Sequence, residues 1–191
     1  MAKAVHTIRC RAELLRPAAP DGRKRPSWSF LSLPKQASAK LPSRGQVTFE
    51  GTLNGAAVRT TLEPDGRGGH WLKVDRSLRE AAGAKVGSAV TLEITPIPPD
   101  REPEPRVPSD LRKALASAPA KAKAAWKDIT PVARRDWIQW IVSAKQAETR
   151  ARRISNACDM LAKGKRRPCC FDRSGMYGKG LGCPIAEESR P

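Results

Sequence analysis

The chain has 191 residues, with 36 Lys and Arg against 19 Asp and Glu, for a formal net charge of +17. Its 39% apolar content and 17 prolines fit one or two modest domains joined by extended segments. No stretch approaches the roughly 20 consecutive apolar residues of a membrane-spanning helix. The charge favours polyanionic partners, set against a plain basic, solvated surface.

In chain order, residues 5–15 alternate loosely and are rich in Val, Thr and Ile, which predicts a strand. Residues 17–26 are rich in Pro, Gly and Asp and read as a loop. A second strand is expected over 28–33. Pro34 then suits the start of a short helical turn, which Gly45 ends. Residues 47–53 and 56–62 flank Asn54-Gly55, the pair that tolerates the positive φ angles of a type I′ hairpin turn. Val47, Phe49 and Leu53 share one face of this hairpin, and Val58 and Leu62 the matching face. Residues 64–69 form a Gly-rich basic loop, read as a plain turn in preference to a phosphate cradle. A strand over 71–74, a helix over 75–82 capped by Asp75 with Leu78 inward, and a strand over 89–95 complete this half.

The stretches 30–50 and 71–94 read alike. Phe30, Leu31 and Leu33 match Trp71, Leu72 and Val74; Gly45 matches Gly87; Val47-Thr48-Phe49-Glu50 matches Val90-Thr91-Leu92-Glu93. Two copies in one chain predict a pseudo-twofold domain. Val47 and Val90 should both be buried, and both short helices should cap a barrel.

Six prolines crowd 96–108, which predicts a stiff, extended linker and a domain boundary. Helices follow. Ser109 or Asp110 caps the first, through Leu111 and Leu115. Pro119 starts the second, which carries Trp126. Thr130-Pro131 starts the third, with Ala133, Trp137, Trp140, Ile141 and Ala144 on one face. Ser143 and Gln146 have capping-box spacing before a fourth, with Ala147, Ala151, Ile154, Cys158 and Leu161 on its apolar stripe. The domains are therefore 1–96, a linker 97–108, a helical domain 109–164, and a flexible basic, Cys-containing tail 165–191.

Catalytic signals are poor. His6 sits in a strand pattern and His70 at a strand start, and no Ser/His/Asp, Walker A or GxGxxG arrangement is present. Among Cys158, Cys169, Cys170 and Cys183 there is no CxxC pair, and two are adjacent, so no metal site is expected, nor any cofactor. Cys169 and Cys170 are reactive-thiol candidates beside Lys165, Arg166 and Arg167. Arg134, Arg135, Lys145, Arg150, Arg152 and Arg153 form the candidate anion- or nucleic-acid-binding face, set against a solvated face with pairs such as Glu148 to Arg152. Trp137 and Trp140 could stack bases; beside Ile141 they read as core. Arg9 and Arg11 stand where a secretory signal needs an apolar run. The five cysteines are an odd number without a framework. A cytoplasmic protein is expected.

The strand–helical turn–Gly–strand unit resembles the AbrB/MazE split β-barrel, in which two such units interleave, usually from two chains. Both copies lie in one chain here, which implies a monomeric barrel. Residues 5–96, through LLRP, LPKQASAKLPSRGQV, the LNG hairpin and GGHWLKVDRSLRE, resemble an uncharacterised bacterial domain family of that single-chain form. PSDLRKAL at 108–115 and ITPVARRDWIQWIVSAKQAETRARRI at 129–154 resemble the YdeI/OmpD-associated domain, linked by name to bacteriocin protection. That family has no established catalytic site, so it transfers no active-site residues. The resulting expectation is an α+β protein. A pseudo-twofold double-split β-barrel, AbrB-like, precedes a small all-α domain. Its function would be non-enzymatic binding of an unknown protein partner or polyanion in stress or antimicrobial-peptide protection. The alternative is nucleic-acid binding by the basic helical face and barrel.

Overall fold

The computed structural model describes residues 6–19, 26–169, 171–176 and 182–187. The chain divides into two units: residues 1–97 with 173–191, and residues 98–172.

In the first unit the described residues form six strands: β1 (Ile8–Glu13), β2 (Ser29–Ser32), β3 (Val47–Leu53), β4 (Ala56–Pro64), β5 (His70–Val74) and β6 (Ala89–Pro96). Two short helices, α1 (Lys35–Ser38) and α2 (Arg76–Ala81), lie between β2 and β3 and between β5 and β6. The sheet order is β1-β6-β3-β4-β5-β2, all antiparallel. Leu15 and Phe30 exchange main-chain hydrogen bonds of 2.7 and 2.8 Å, bringing the chain after β1 against β2 and nearly closing the sheet into a barrel.

The strands form where the sequence predicts, for the expected reasons. Asn54 and Gly55 have φ of 48° and 87°, as a type I′ turn requires. The Asn54 side chain also accepts from the Thr91 N–H at 2.8 Å, tying the hairpin to β6. Asp75 caps α2 by accepting from the Leu78 N–H at 2.8 Å. Val47 and Val90 are 4% and 1% exposed; with Phe49, Leu53, Leu62, Leu72, Leu92 and Ile94 they fill the interior. Phe30 is buried outside that interior. It lies edge-on to Trp28 and Trp71, which stack at 6.3 Å.

Strands of the two similar stretches pair with each other. In the β2–β5 pair Leu31 lies opposite Leu72; in the β3–β6 pair Gly51 lies opposite Ile94, and Phe49 and Leu53 face Pro96 and Leu92. Helix α1 packs against β1, and α2 against β4. The matched glycines differ. Gly87 has φ 83°, where a side chain would be strained. Gly45 is constrained by space: a Cβ there would sit 3.2 Å from the Arg173 Cβ and carbonyl oxygen.

Gly51 is the tightest point of the barrel, because a Cβ would meet the Glu93 carbonyl oxygen at 1.9 Å. Gly51→Ala must push β3 and β6 apart. The expected cost is at the upper end of the about 1–3 kcal/mol of overpacking, read as a lower denaturation midpoint. A midpoint equal to the parent's would mean that the strands part without cost.

The second unit holds α3 (Ser109–Ser117), α4 (Ala120–Asp128), α5 (Pro131–Val142) and α6 (Ala147–Ala162). Thr130 caps α5, accepting from the Ala133 N–H at 3.3 Å, with Pro131 in the first turn. The core contains Leu111, Leu115, Ala122, Ile129, Ala133, Trp137, Ile141, Ile154, Ala157 and Leu161.

Four expectations need correction here. Neither Ser109 nor Asp110 caps α3: Pro108 is the cap residue, and Asp110 faces Arg150. Ser143 does not open a capping box. It ends α5, its hydroxyl donating to the Trp140 carbonyl at 3.0 Å, and α6 begins after Gln146 without a side-chain cap. The buried residues of α6 are Ile154, Ala157 and Leu161, with Cys158 half-buried, while Ala147 and Ala151 are exposed. One turn before Ile154, the half-buried Arg150 is met by Asp110 on α3 at 2.6 Å.

The fourth concerns the proline-rich stretch, read as a linker outside the helical domain: from Pro98 onward it belongs to the helical unit. Pro99–Arg101 forms a 3-10 turn. Glu102 then pairs with Arg135, and Glu104 with Arg134 at 2.6 Å, so the segment lies along α5. The described residues past Gly164 are also placed. Arg166 pairs with Asp128 and Arg167 with the buried Asp136, while residues 173–176 and 182–187 belong to the barrel unit.

Candidate functional site

The six basic residues of the predicted face do not form one patch. Arg134 donates to Glu104 and, through Nε and a terminal nitrogen, to the Trp126 and Lys127 carbonyls at 2.9 and 2.8 Å. Arg135 meets Glu102 with both side chains largely buried, 12% and 5% exposed. Arg150 forms a two-point pair with Asp110 across α3 and α6, at 2.6 and 3.1 Å. Hydrogen bonding to Arg150 holds the Asp110 carboxyl below the usual range, and the same bond raises the guanidinium. Arg153 donates to the Trp140 carbonyl and the Ser143 hydroxyl, and its guanidinium lies 5.4 Å from the Trp140 ring centroid. Lys145 and Arg152 are exposed. Four of the six thus sit at seams within the helical unit, satisfied by its own carboxylates and carbonyls.

Trp137 is fully buried and Trp140 half-buried, edge-on at 5.9 Å and 72°. The pair is part of the core and not a free stacking platform.

In the barrel unit, the loop between β4 and β5 is organised by Asp65. Its carboxylate accepts from the Arg67 and Gly69 N–H groups at 2.7 and 2.8 Å. Those are amides a phosphate would need, so the loop is a turn closed on its own acid. His6 is exposed. His70 is 1% exposed and pins three segments together. Its N–H donates to the Ser38 hydroxyl at 3.1 Å, its carbonyl accepts from the Leu33 N–H at 2.9 Å, and its Nε2 donates to the Gly45 carbonyl at 3.0 Å. Nδ1 is buried without a hydrogen-bond partner.

Burial lowers the His70 pKa, opposed by the Gly45 and Ser43 carbonyls and by Asp65. The unfolded chain, with an ordinary imidazole near 6.5, therefore takes up the proton first. Stability is full above that pH and falls as pH drops through it toward the folded value. The difference in melting temperature between the parent and His70→Gln should change sign or magnitude between pH 8 and pH 5. Parallel curves would rule out this linkage.

Cys169 is exposed and Cys170 lies outside the described residues. Arg166 and Arg167, expected to activate them, are engaged with Asp128 and Asp136. Cys158 is half-buried on α6, and burial raises its thiol pKa. Cys183 is likewise raised by burial, with its sulfur 3.2 Å from the Ser32 hydroxyl. Among the described residues no His, Cys, Asp and Glu group gathers with metal-ligand geometry, and no helix is long and apolar enough to cross a membrane.

Sequence reasoning missed Glu102, Glu104 and Asp136. The first two stand in a proline run read as spacer. The third lies on the buried side of α5, where an acid requires a cation; the sequence does not say which.

A small, nearly closed antiparallel barrel is thus joined to a helical unit built around Trp137 and internal ion pairs. Residues 104–164 match the family model described as Bacteriocin-protection, YdeI or OmpD-Associated, and residues 11–94 match a domain of unknown function, DUF1905. The helical unit is a YdeI/OmpD-associated domain, and the barrel a DUF1905 domain. No curated protein matches the chain.

Proposed function

We propose that this is a non-enzymatic, cytoplasmic binding protein of the YdeI/OmpD-associated type that acts in stress or antimicrobial-peptide protection. The observation carrying this reading is the match of the helical unit to a family described by bacteriocin protection. Charge narrows the mode. A chain of net charge +17 repels cationic peptides, so protection by soaking them up is disfavoured, and an acidic protein or a polyanion other than nucleic acid is the better partner. The cytoplasmic assignment rests on the odd cysteine count.

The barrel is read as a pseudo-twofold, double-split barrel, AbrB-like, closed by one chain as a monomer. Supporting this, Leu31 faces its own counterpart Leu72, while the Phe49–Pro96 and Leu53–Leu92 pairs exchange under the alignment of Val47 with Val90.

The competing reading, nucleic-acid binding, draws on the net charge and on the exposed Lys145 and Arg152. Anisotropy titration of the folded full chain with fluorescent DNA and RNA, at increasing salt, separates the two. The proposed reading predicts weak binding without sequence preference. Tight binding would favour the competitor, with log affinity falling by about 0.9 per phosphate contact on duplex DNA for each unit of log salt. Replacing Arg134, Arg135, Arg152 and Arg153 with Gln would then flatten the slope.

A further inference from the structure

Residues 182–187 are held to the barrel unit by several main-chain bonds. Pro17 faces Ala186 in an antiparallel bridge. The Ala18 N–H donates to the Ile185 carbonyl at 2.8 Å, and the Glu187 N–H donates to the Arg16 carbonyl at 2.8 Å. Further back, the Cys183 N–H donates to the Asp65 carbonyl at 3.4 Å, and its thiol lies against Ser32. Ile185, the large apolar side chain at the bridge, is 81% exposed. The segment lies outside both matched stretches.

This is the pattern of strand addition, in which an extended peptide is recognised by its backbone at a strand edge. No apolar side chain of residues 182–187 is fully buried, which suits a reversible attachment. It persists because tethering gives the segment a high effective concentration. The edge is narrow but well defined: one N–H and one carbonyl two residues apart, at Ala18 and Arg16. Arg16 supplies a positive charge at the edge itself, and the seated segment brings Glu187.

We propose that residues 16–18 are a docking edge for an extended acidic peptide of a partner protein, occupied in the resting chain by its own residues 183–187. The requirement on the incoming peptide is specific. It must present a carbonyl and, two residues later, an N–H, so proline is excluded at the place of Glu187. The proposal concerns the barrel unit alone and stands apart from the protection reading, which rests on the helical unit.

The test uses the full chain and a fluorescein-labelled peptide with the sequence of residues 182–187. Glu187→Pro in the protein removes one donor and should free the edge. The variant should bind the peptide about 10-fold or more tighter than the parent, as expected once a tethered competitor is lost. A peptide with proline at its last position should not compete. Equal affinity for parent and variant, no measurable binding to either, or equal competition by the proline peptide would overturn the proposal. Hydrogen exchange on the parent gives a check independent of any variant. The Ala18 amide should exchange at least about 10-fold faster than the paired amides of β3, as a reversible attachment requires. Protection equal to that of β3 would make the segment a permanent strand and end the proposal.

Discussion

Trp137→Ala should destabilise the helical unit by about 3–5 kcal/mol, the range for emptying a large aromatic site in a core. The side chain is fully buried and packs with Ala133, Ile141 and Leu161 in one cluster, with Trp140 against its edge. Its indole N–H is buried without an acceptor, so no hydrogen bond is lost on truncation. Trp137→Phe should for that reason cost much less than Trp137→Ala. Urea denaturation followed by far-UV circular dichroism measures both. An alanine variant as stable as the parent would show that the ring serves a surface and not the core.

The second large effect is expected from Glu102→Ala, again about 3–5 kcal/mol, because it takes from a largely buried cation the carboxylate that faces it. Arg135 is 12% exposed and Glu102 5%. The same principle supplies a control. Replacing both residues with methionine removes both desolvation penalties and should recover most of the loss. A loss below about 1 kcal/mol for Glu102→Ala would place the pair with ordinary surface salt bridges. The proline segment would then be the spacer that its composition suggests. Limited proteolysis gives the same answer by another route: bonds around Glu102 should be cut faster in the variant than in the parent.

These two positions also show what a sequence can disclose. Trp137 was legible because it stands with Ala133 and Ile141 at helical spacing after Thr130-Pro131, a start signal that holds in the fold. The barrel hairpin was legible because Asn54 and Gly55 both tolerate the positive φ that its tight turn requires. The similarity of 30–50 to 71–94 foretold that Val47 and Val90 share a buried environment. The strand order was not legible, since β6 pairs with both β1 and β3 through main-chain bonds between residues far apart in sequence. The pairing of Arg150 with Asp110 was hidden for a different reason: it joins two helices 40 residues apart, and no periodicity marks it. Glu102 and Glu104 were hidden by the prolines around them. The C-terminal segment left no apolar period because its attachment is made by backbone. The basic face read from Arg134, Arg135, Lys145, Arg150, Arg152 and Arg153 assumed that nearby charges in sequence point to one solvent. Most of them instead find carboxylates or carbonyls of their own unit.

The most direct test of the account is a bacteriocin dose–response. Cells of a sensitive strain producing the full chain are compared with cells carrying the empty vector, and with cells producing Trp137→Ala as a stability-impaired control. Binding in a protective role predicts that the inhibitory concentration rises with the parent chain and returns toward the vector's value with Trp137→Ala. An inhibitory concentration identical to the vector's, with the parent chain folded and abundant in the cells, would contradict it.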